Sequence, residues 1–404
     1  MAWYSEIRRE QWRTLVAAQM GWMLDAMDVM LYAFALTAIR NEFRLSSAAA
    51  GVLAAAPLVT SAAGGALFGY LSDRFGRARA LVWSILTFSV FTAFAATSRS
   101  VAELLAWRAI VGIGLGGEWA AGSVLVAETW PARHRAKAIG LMQSGWAIGY
   151  MAAALLAAAV LPAFGWRPLF VLGILPALFT AWIRRNIAEP EIWKRAGGHN
   201  RTPASALFRA PLRRIVFLAS ALCSCVLFGY WGLFTWIPAY LSTPVEQGGA
   251  GLSIVRSSAW MVPMQIGAFF GYTLFGFFAD RVGRRPAFLT YVLVTAVMVP
   301  LYGLFGRNAA VLITVGPLVG FFGHGYFSVF GVVLAELFPA GVRATAQGLC
   351  YNVGRALSAL APVTVGALAD RYGIGAALGF TSIFFAGGAG LMLLLPETRG
   401  EELT

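Results

Sequence analysis

Twelve stretches of roughly 18 to 25 mostly apolar residues follow one another along this chain, and each is long enough to cross about 30 Å of hydrocarbon as a helix. They run near 14–39, 48–71, 79–98, 102–127, 137–160, 166–184, 215–241, 255–279, 286–306, 309–335, 344–369 and 374–395. Of the 404 residues, 59% are hydrophobic and only 12% charged, where soluble domains carry about a quarter. A water-soluble core cannot hide that much apolar surface, so the expected fold is an all-α membrane protein with twelve transmembrane helices. The longest interruption, 185–214, spans about thirty residues and leaves no room for a soluble catalytic domain.

An even number of spans puts both termini on one side, and the charges say which. Of the 31 Lys and Arg, 22 fall on the face that holds the termini, eight of them in the central loop. The opposite face holds seven: Arg40, Arg44, Arg99, Arg167, Arg256, Arg307 and Arg371. By the positive-inside rule the termini and the central loop are expected to be cytoplasmic. The net charge of +13 is therefore topological, helped by attraction to anionic lipid, and does not point to nucleic acid. The three cysteines, Cys223, Cys225 and Cys350, all fall inside spans and lack metal-type spacing, which argues against a disulfide framework or a metal site. The basic N-terminus leads into an apolar run too long for a cleaved signal and containing Asp25 and Asp28, so it reads as a retained helix.

The two halves repeat. Gly69-Tyr-Leu-Ser-Asp73-Arg74-Phe-Gly76-Arg77 follows the second span, and Gly276-Phe-Phe-Ala-Asp280-Arg281-Val-Gly283-Arg284 follows the eighth, 207 residues on. Glu128, Pro131, Arg135 and Gly140 recur 208 residues later as Glu336, Pro339, Arg343 and Gly348. Parallel repeats of six helices describe one large carrier architecture. The chain accordingly reads as two pseudo-symmetric six-helix bundles, 1–184 and 215–404, joined by a cytoplasmic loop, 185–214.

Gly-x-x-x-Asp-Arg-x-Gly-Arg between the second and third spans resembles the signature of the major facilitator superfamily, and the resemblance extends over nearly the whole chain. Gly114-Leu-Gly-Gly-Glu118-Trp119, Gln143-Ser-Gly-Trp146-Ala-Ile-Gly-Tyr150 and the closing Pro396-Glu397-Thr398-Arg399-Gly400 narrow it. They resemble the metabolite–proton symporter branch, with its carriers of sialate, aromatic acids and short monocarboxylates. In that branch an acidic pair in the first helix is associated with proton coupling, which here implies Asp25 and Asp28.

The residues carry their own argument. Asp25 and Asp28 lie mid-span on one helical face, where an ionised carboxylate costs about 2.5–3.5 kcal/mol on insertion scales and normally meets a cavity or a partner. They handle protons on one reading and hold facing helices together on another. Arg108 opens Arg108-x-x-x-Gly112-x-Gly114-x-Gly116; the glycines allow close helix approach, and the guanidinium needs an acid or an anionic substrate. Asp25 or Asp28 is the expected partner, with Glu118 as a further proton carrier or a structural acceptor. Arg355 has no acid nearby in its helix, so it is expected to bind a substrate carboxylate, helped by Asn352 and Gln143; a bridge to Glu336 or a gate contact is the alternative. His324 between glycines either titrates or packs neutrally, and Tyr230 and Trp231 either wall a cavity or face lipid.

Asp73 and Arg77, Glu128 and Arg135, Asp280 and Arg284, and Glu336 and Arg343 lie too far from the midplane to bind substrate. They suit a gating latch in alternating access, with Glu128–Arg135 and Glu336–Arg343 as natural pairs; Arg79 and Arg285 are read as fixing topology. The expected function is proton-coupled symport of a small organic anion in the inner membrane by a monomer, without cofactor or metal. A neutral sugar or polyol is the rival substrate. A membrane-embedded enzyme is disfavoured because no catalytic residues are expected: there is no metal-ligand pair and no nucleophile with a base in the same segment. A nutrient-sensing receptor would need a long tail, and only about nine residues follow the last span.

Overall fold

The computed structural model describes residues 3–45, 47–195, 204–242, 244–252, 254–306 and 308–403. Arg201 and Arg307 lie outside the described residues, as do the side chains of Arg40 and Arg256.

Twelve transmembrane units form two pseudo-symmetric six-helix bundles, built of α-helices with short 3-10 turns inside two of the units, at Leu172–Ile174 and Ser358–Leu360. In the first bundle they are α1 (Arg9–Phe43), α2 (Ser47–Phe75), α3 (Arg77–Ala95), α4 (Val101–Thr129), the broken pair α5 (Arg135–Gln143) and α6 (Gly145–Phe164), and the pair α7 (Trp166–Val171) and α8 (Leu175–Asn186). A short α9 (Glu191–Arg195) lies in the connecting loop. The second bundle has α10 (Leu212–Phe234) with α11 (Ile237–Ser242), α12 (Ile254–Val282), α13 (Arg284–Phe305), α14 (Ala309–Gly325) with α15 (Phe327–Leu337), α16 (Arg343–Leu357) with α17 (Ala361–Tyr372), and α18 (Ile374–Phe380) with α19 (Ser382–Leu393). Among the described residues nine helices are long and apolar enough to cross a membrane.

Where a span breaks, backbone groups lose their helical partners, and in hydrocarbon each must be satisfied locally. Hydroxyl side chains do this. Ser144, Ser358 and Thr381 each sit at a break and donate to the carbonyl three residues back, on Leu141, Arg355 and Leu378, at 2.7 Å each. Gln19 of α1 also donates to the Leu141 carbonyl, at 2.8 Å.

Helices within a bundle approach through glycine. Gly112 and Gly116, four apart on α4, face α2, where an added Cβ would strike the backbone of Pro57 and of Ser61. Gly114 faces the other way, against Phe88 of α3, and its carbonyl accepts from Ser84 Oγ at 2.7 Å. The alternating glycines therefore serve two neighbours.

The bundles meet along α2 with α16 and along α5 with α12, a pseudo-two-fold pair of contacts. Gly69 abuts the Ala344 backbone, and Gly276 abuts that of Ala136. These contacts involve α5 and α16 far more than their continuations α6 and α17. The seam is thus closed at the end that carries the repeated Asp-Arg-x-Gly-Arg loops, called here the basic end.

Candidate transport site

Near the middle of the molecule, inside the closed seam, the two bundles enclose a cavity of about 20 Å³, room for roughly one water. The first bundle contributes Trp22, Gln143 and Trp146; the second contributes Leu227, Tyr230, Trp231, Tyr272, Phe327, Tyr351 and Arg355. Aromatic faces make up most of its wall. Trp22 and Trp146 lie 4.9 Å apart between ring centroids, and Tyr230 meets Phe327 edge-on at 4.6 Å. Behind the wall, Tyr351 stacks on Trp119 at 4.0 Å and 21°, and Trp119 Nε1 donates to Gln143 Oε1 at 3.1 Å. That bond fixes the Gln143 amide, whose nitrogen reaches the Phe327 carbonyl at 3.4 Å.

Two of the lining residues carry donors without a protein acceptor among the described residues. Among the described residues Arg355, 3% exposed, forms no ion pair within 4.0 Å, and the indole N–H of buried Trp22 has no hydrogen-bond partner. Arg355 does feel the charge of Asp25, on the facing helix α1. Asp25 in turn feels Asp28, and Glu118 of α4 feels Asp25. Gly21, one turn before Asp25, leaves the space that the Glu118 carboxyl occupies. No carboxylate oxygen of Asp25, Asp28 or Glu118 makes a hydrogen bond among the described residues; Asp28 faces Thr92 Oγ1 without hydrogen-bond geometry. Three buried acids without hydrogen bonds, near an arginine without an ion pair among the described residues, are costly for stability alone.

Arg108 is held differently. Its guanidinium lies 3.7 Å over the Tyr32 ring, its Nε donates to the Leu53 carbonyl at 3.2 Å, and the nearby acid is Asp28. It lies outside the cavity wall. Asn352 ties the bundles together instead of lining the cavity, donating to the carbonyls of Gly116 and Gly348 at 3.0 Å each. His324 is buried behind Tyr230, Phe234 and Tyr272, with Nδ1 3.0 Å from the Gly320 carbonyl. Trp22, Trp146, Tyr272, Phe327 and Tyr351 are wall residues that the sequence reading passed over. Three had a signal: Trp22, Trp146 and Tyr351 stand three or four residues from Asp25, Gln143 and Arg355, on the same helical faces.

At the basic end the repeated charges form two buried clusters. Arg77 pairs with Asp73 at 2.6 Å and Glu128 at 2.9 Å within its own bundle, and Glu128 accepts from Arg343 of the other bundle at 2.6 Å. Symmetrically, Arg284 pairs with Asp280 at 2.9 Å and Glu336 at 3.1 Å, while Arg135 crosses to Glu336 at 2.7 Å. The expected Glu128–Arg135 and Glu336–Arg343 pairs are thus exchanged: each glutamate takes the arginine of the opposite repeat. The pseudo-two-fold axis between the bundles causes this, because it sets α5 beside α12 and α16 beside α2. Asp73 also crosses the seam, accepting from the backbone N–H of Ala344 and Thr345 at 3.2 and 2.8 Å and capping the start of α16. Arg77 Nη2 reaches the Ala340 carbonyl at 3.0 Å.

Gly76 and Gly283 hold φ of +125° and +108°, which lets α2 turn directly into α3 and α12 into α13. A glutamate then caps each new helix. Glu189 accepts from the N–H groups of Arg77, Ala78 and Arg79 at 2.6, 3.2 and 3.2 Å, and Glu397 from those of Arg284 and Arg285 at 2.8 and 2.9 Å. Burial outweighs these bonds at Glu189 and pushes its carboxyl above the usual range. Glu189 and Glu397 are 208 residues apart, so the repeat offset alone would have found this third pair.

Two six-helix bundles around a central site, with glutamate–arginine clusters closing one end, define a secondary transporter rather than an enzyme. A model of the Major Facilitator Superfamily matches residues 20–272, and one described as Sugar (and other) transporter matches residues 255–404. The chain belongs to the major facilitator superfamily. It is 34% identical over 389 residues to the cis,cis-muconate transport protein of Acinetobacter baylyi, covering 93% of this chain and 92% of that one. Against the sialic acid transporter NanX of Escherichia coli it is 27% identical over 395 residues, covering 98% and 95%. Its fold matches that of the proton:xylose symporter XylE with a TM-score of 0.82 over 98% of each chain, at 19% identity.

Proposed function

We propose that this protein is a proton-coupled symporter of a small organic acid, acting as a monomer in the inner membrane with both termini and the loop between the bundles on the cytoplasmic side. The carrying observation is that Arg355, without an ion pair among the described residues, and Trp22, whose indole N–H has no hydrogen-bond partner among them, line one aromatic-walled cavity. A carboxylate offers four lone pairs to such donors, and flat aromatic walls favour a planar, conjugated body behind it. The muconate and sialic acid carriers among its relatives support an acid as cargo.

Charge balance supplies the coupling. Empty, the cavity sets Arg355 against Asp25. A substrate carboxylate on Arg355 adds a second anion to a low-dielectric space that holds one cation, and protonation of Asp25 removes the excess. One proton then travels with each carboxylate. Glu118, next to Asp25 and away from water, is placed to accept that proton onward.

The test is uptake into proteoliposomes, with and without an inward proton gradient, of labelled cis,cis-muconate, a benzoate-type acid, its amide, sialate and glucose. An acid should accumulate with the gradient while the amide does not. Arg355→Lys keeps the charge but loses the planar fork, and should weaken acid uptake about 10- to 100-fold, the worth of one charge-assisted hydrogen bond. A neutral sugar is the second reading, favoured by the sugar transporter model over residues 255–404. Equal uptake of acid and amide, or glucose uptake that survives Arg355→Ala, would select it.

A further inference from the structure

A groove of about 690 Å³ opens on the outside of the first bundle at its basic end, between α3 and the end of α8. On α3, Arg79, Val82, Trp83 and Leu86 follow the i, i+3, i+4, i+7 spacing and form one stripe along its wall; Arg184 and Ile187 face them from α8 and the loop after it. The groove is therefore graded, with two guanidinium groups at the end of the bundle and apolar side chains running toward its middle.

The two arginines lack protein anions. Among the described residues neither has a carboxylate within 4.0 Å, the Arg184 side chain makes no hydrogen bond, and that of Arg79 makes one, at 3.4 Å to the Phe75 carbonyl. Glu189 borders the groove, but its two oxygens are occupied by the three N–H groups at the start of α3. The second bundle serves as an internal control. The positions equivalent to Arg79 and Arg184, 207 and 208 residues on, are Pro286 and Met392. The repeat that built the rest of the molecule twice made this arginine pair once, which a purely topological role for Arg79 does not explain.

We infer that the α3/α8 groove is a binding site for one anionic phospholipid, with its headgroup phosphate on Arg79 and Arg184 and an acyl chain along Val82, Trp83 and Leu86. The occupant follows from charge and position. Two exposed guanidinium groups without protein anions complement an anion, the apolar floor continues into the lipid-facing surface where Trp83 is 39% exposed, and basic pockets between helices at headgroup depth suit lipid phosphates. A free phosphate would use the arginines and ignore the floor.

The experiment is native mass spectrometry of the intact purified protein with dioleoyl phosphatidylglycerol or dioleoyl phosphatidylcholine, and with inorganic phosphate as a separate arm. The wild-type chain should keep one phosphatidylglycerol at activation energies that strip phosphatidylcholine. Arg79→Ala with Arg184→Ala should lower its retention about tenfold or more, whereas Arg99→Ala at the opposite end should not. Retention of phosphatidylcholine equal to phosphatidylglycerol, displacement by millimolar phosphate, or full retention in the double variant would each overturn the assignment. If the double variant does not fold, a phosphatidylglycerol with a photoreactive acyl chain decides on the unaltered protein. Crosslinks to the 79–86 segment support the site, and crosslinks spread evenly over both bundles refute it.

Discussion

Asp25 and Asp28 lie one helical turn apart on α1, yet they feel different cations: Asp25 that of Arg355 in the other bundle, and Asp28 that of Arg108 inside its own. This separates their roles. On the proposed mechanism Asp25 is the acid whose cation is taken over by the substrate, whereas Asp28 lies near an arginine already anchored over Tyr32 and on the Leu53 carbonyl. Asp25→Asn alone should therefore abolish gradient-driven accumulation, since an amide carries no proton, and substrate exchange across the membrane should survive. Asp28→Asn should leave accumulation in place and lower thermal stability instead. Uptake with and without a gradient, alongside counterflow and a melting curve for each variant, checks this. Normal accumulation in Asp25→Asn would move the coupling to Glu118.

Short elements at the basic end do a job that the long helices do not. The 3-10 turn Trp3–Glu6 lies across the seam: Trp3 meets Phe277 of α12 edge-on at 5.5 Å and Trp12 of α1 at 5.9 Å. Glu6 pairs with Arg133 at 2.8 Å and with His134 Nε2 at 2.9 Å. His134 Nδ1 lies 3.2 Å from Lys137 Nζ, which itself bridges the bundles to Asp280 at 2.9 Å. The hydrogen bond from His134, reinforced by Arg133, holds the Glu6 carboxyl below its ordinary value of 4.5. A depressed acid stabilises the docked turn above that ordinary value and loses the contribution as pH falls through the depressed one. A spin label at Tyr4, exposed in the docked turn, should stay ordered down to pH 5 and gain mobility below pH 4; Glu6→Gln should be mobile at both. An ordered label in that variant at neutral pH would show that the Trp3 contacts suffice alone.

Closing one end of the carrier depends on residues that only the assembled bundles bring together. Arg343–Glu128, Arg135–Glu336 and the Asp73 cap of α16 all cross the seam and are buried, and since Arg77 and Arg284 still balance the glutamates when one crossing partner is removed, each loss costs about 1.5–3 kcal/mol, the worth of one hydrogen bond to a charged group. That penalty falls on the state closed at the basic end and is relieved when the bundles part, so the populations should shift by about one to two orders of magnitude. Arg343→Ala or Asp73→Asn should therefore favour opening at that end and lower turnover more than substrate affinity. Ser123 of α4 bonds Gln347 of α16 at 2.9 Å across the seam, so Ser123→Cys reports the opening through its rate of maleimide labelling. An unchanged rate in both variants would reduce the clusters to topology signals.

Hydrophobic length and spacing determine the number of spans, because a helix in lipid must be about twenty apolar residues long whatever surrounds it. The repeat of Asp73–Arg77 at Asp280–Arg284 likewise made the two bundles legible, and Arg355 stood out as a cation without a local acid. Partner choice was not legible. Glu128 has Arg135 seven residues away in the sequence but takes Arg343, because the axis between the bundles, and not chain proximity, decides which charges share a buried space. The cavity wall was half legible, since Trp22, Trp146 and Tyr351 follow from helical spacing, while Tyr272 and Phe327 are ordinary apolar-span residues until α12 and α15 turn them inward. Local periodicity specifies a helix and its faces; which face meets which neighbour is a property of packing between segments far apart in the chain, and only the tertiary structure contains it.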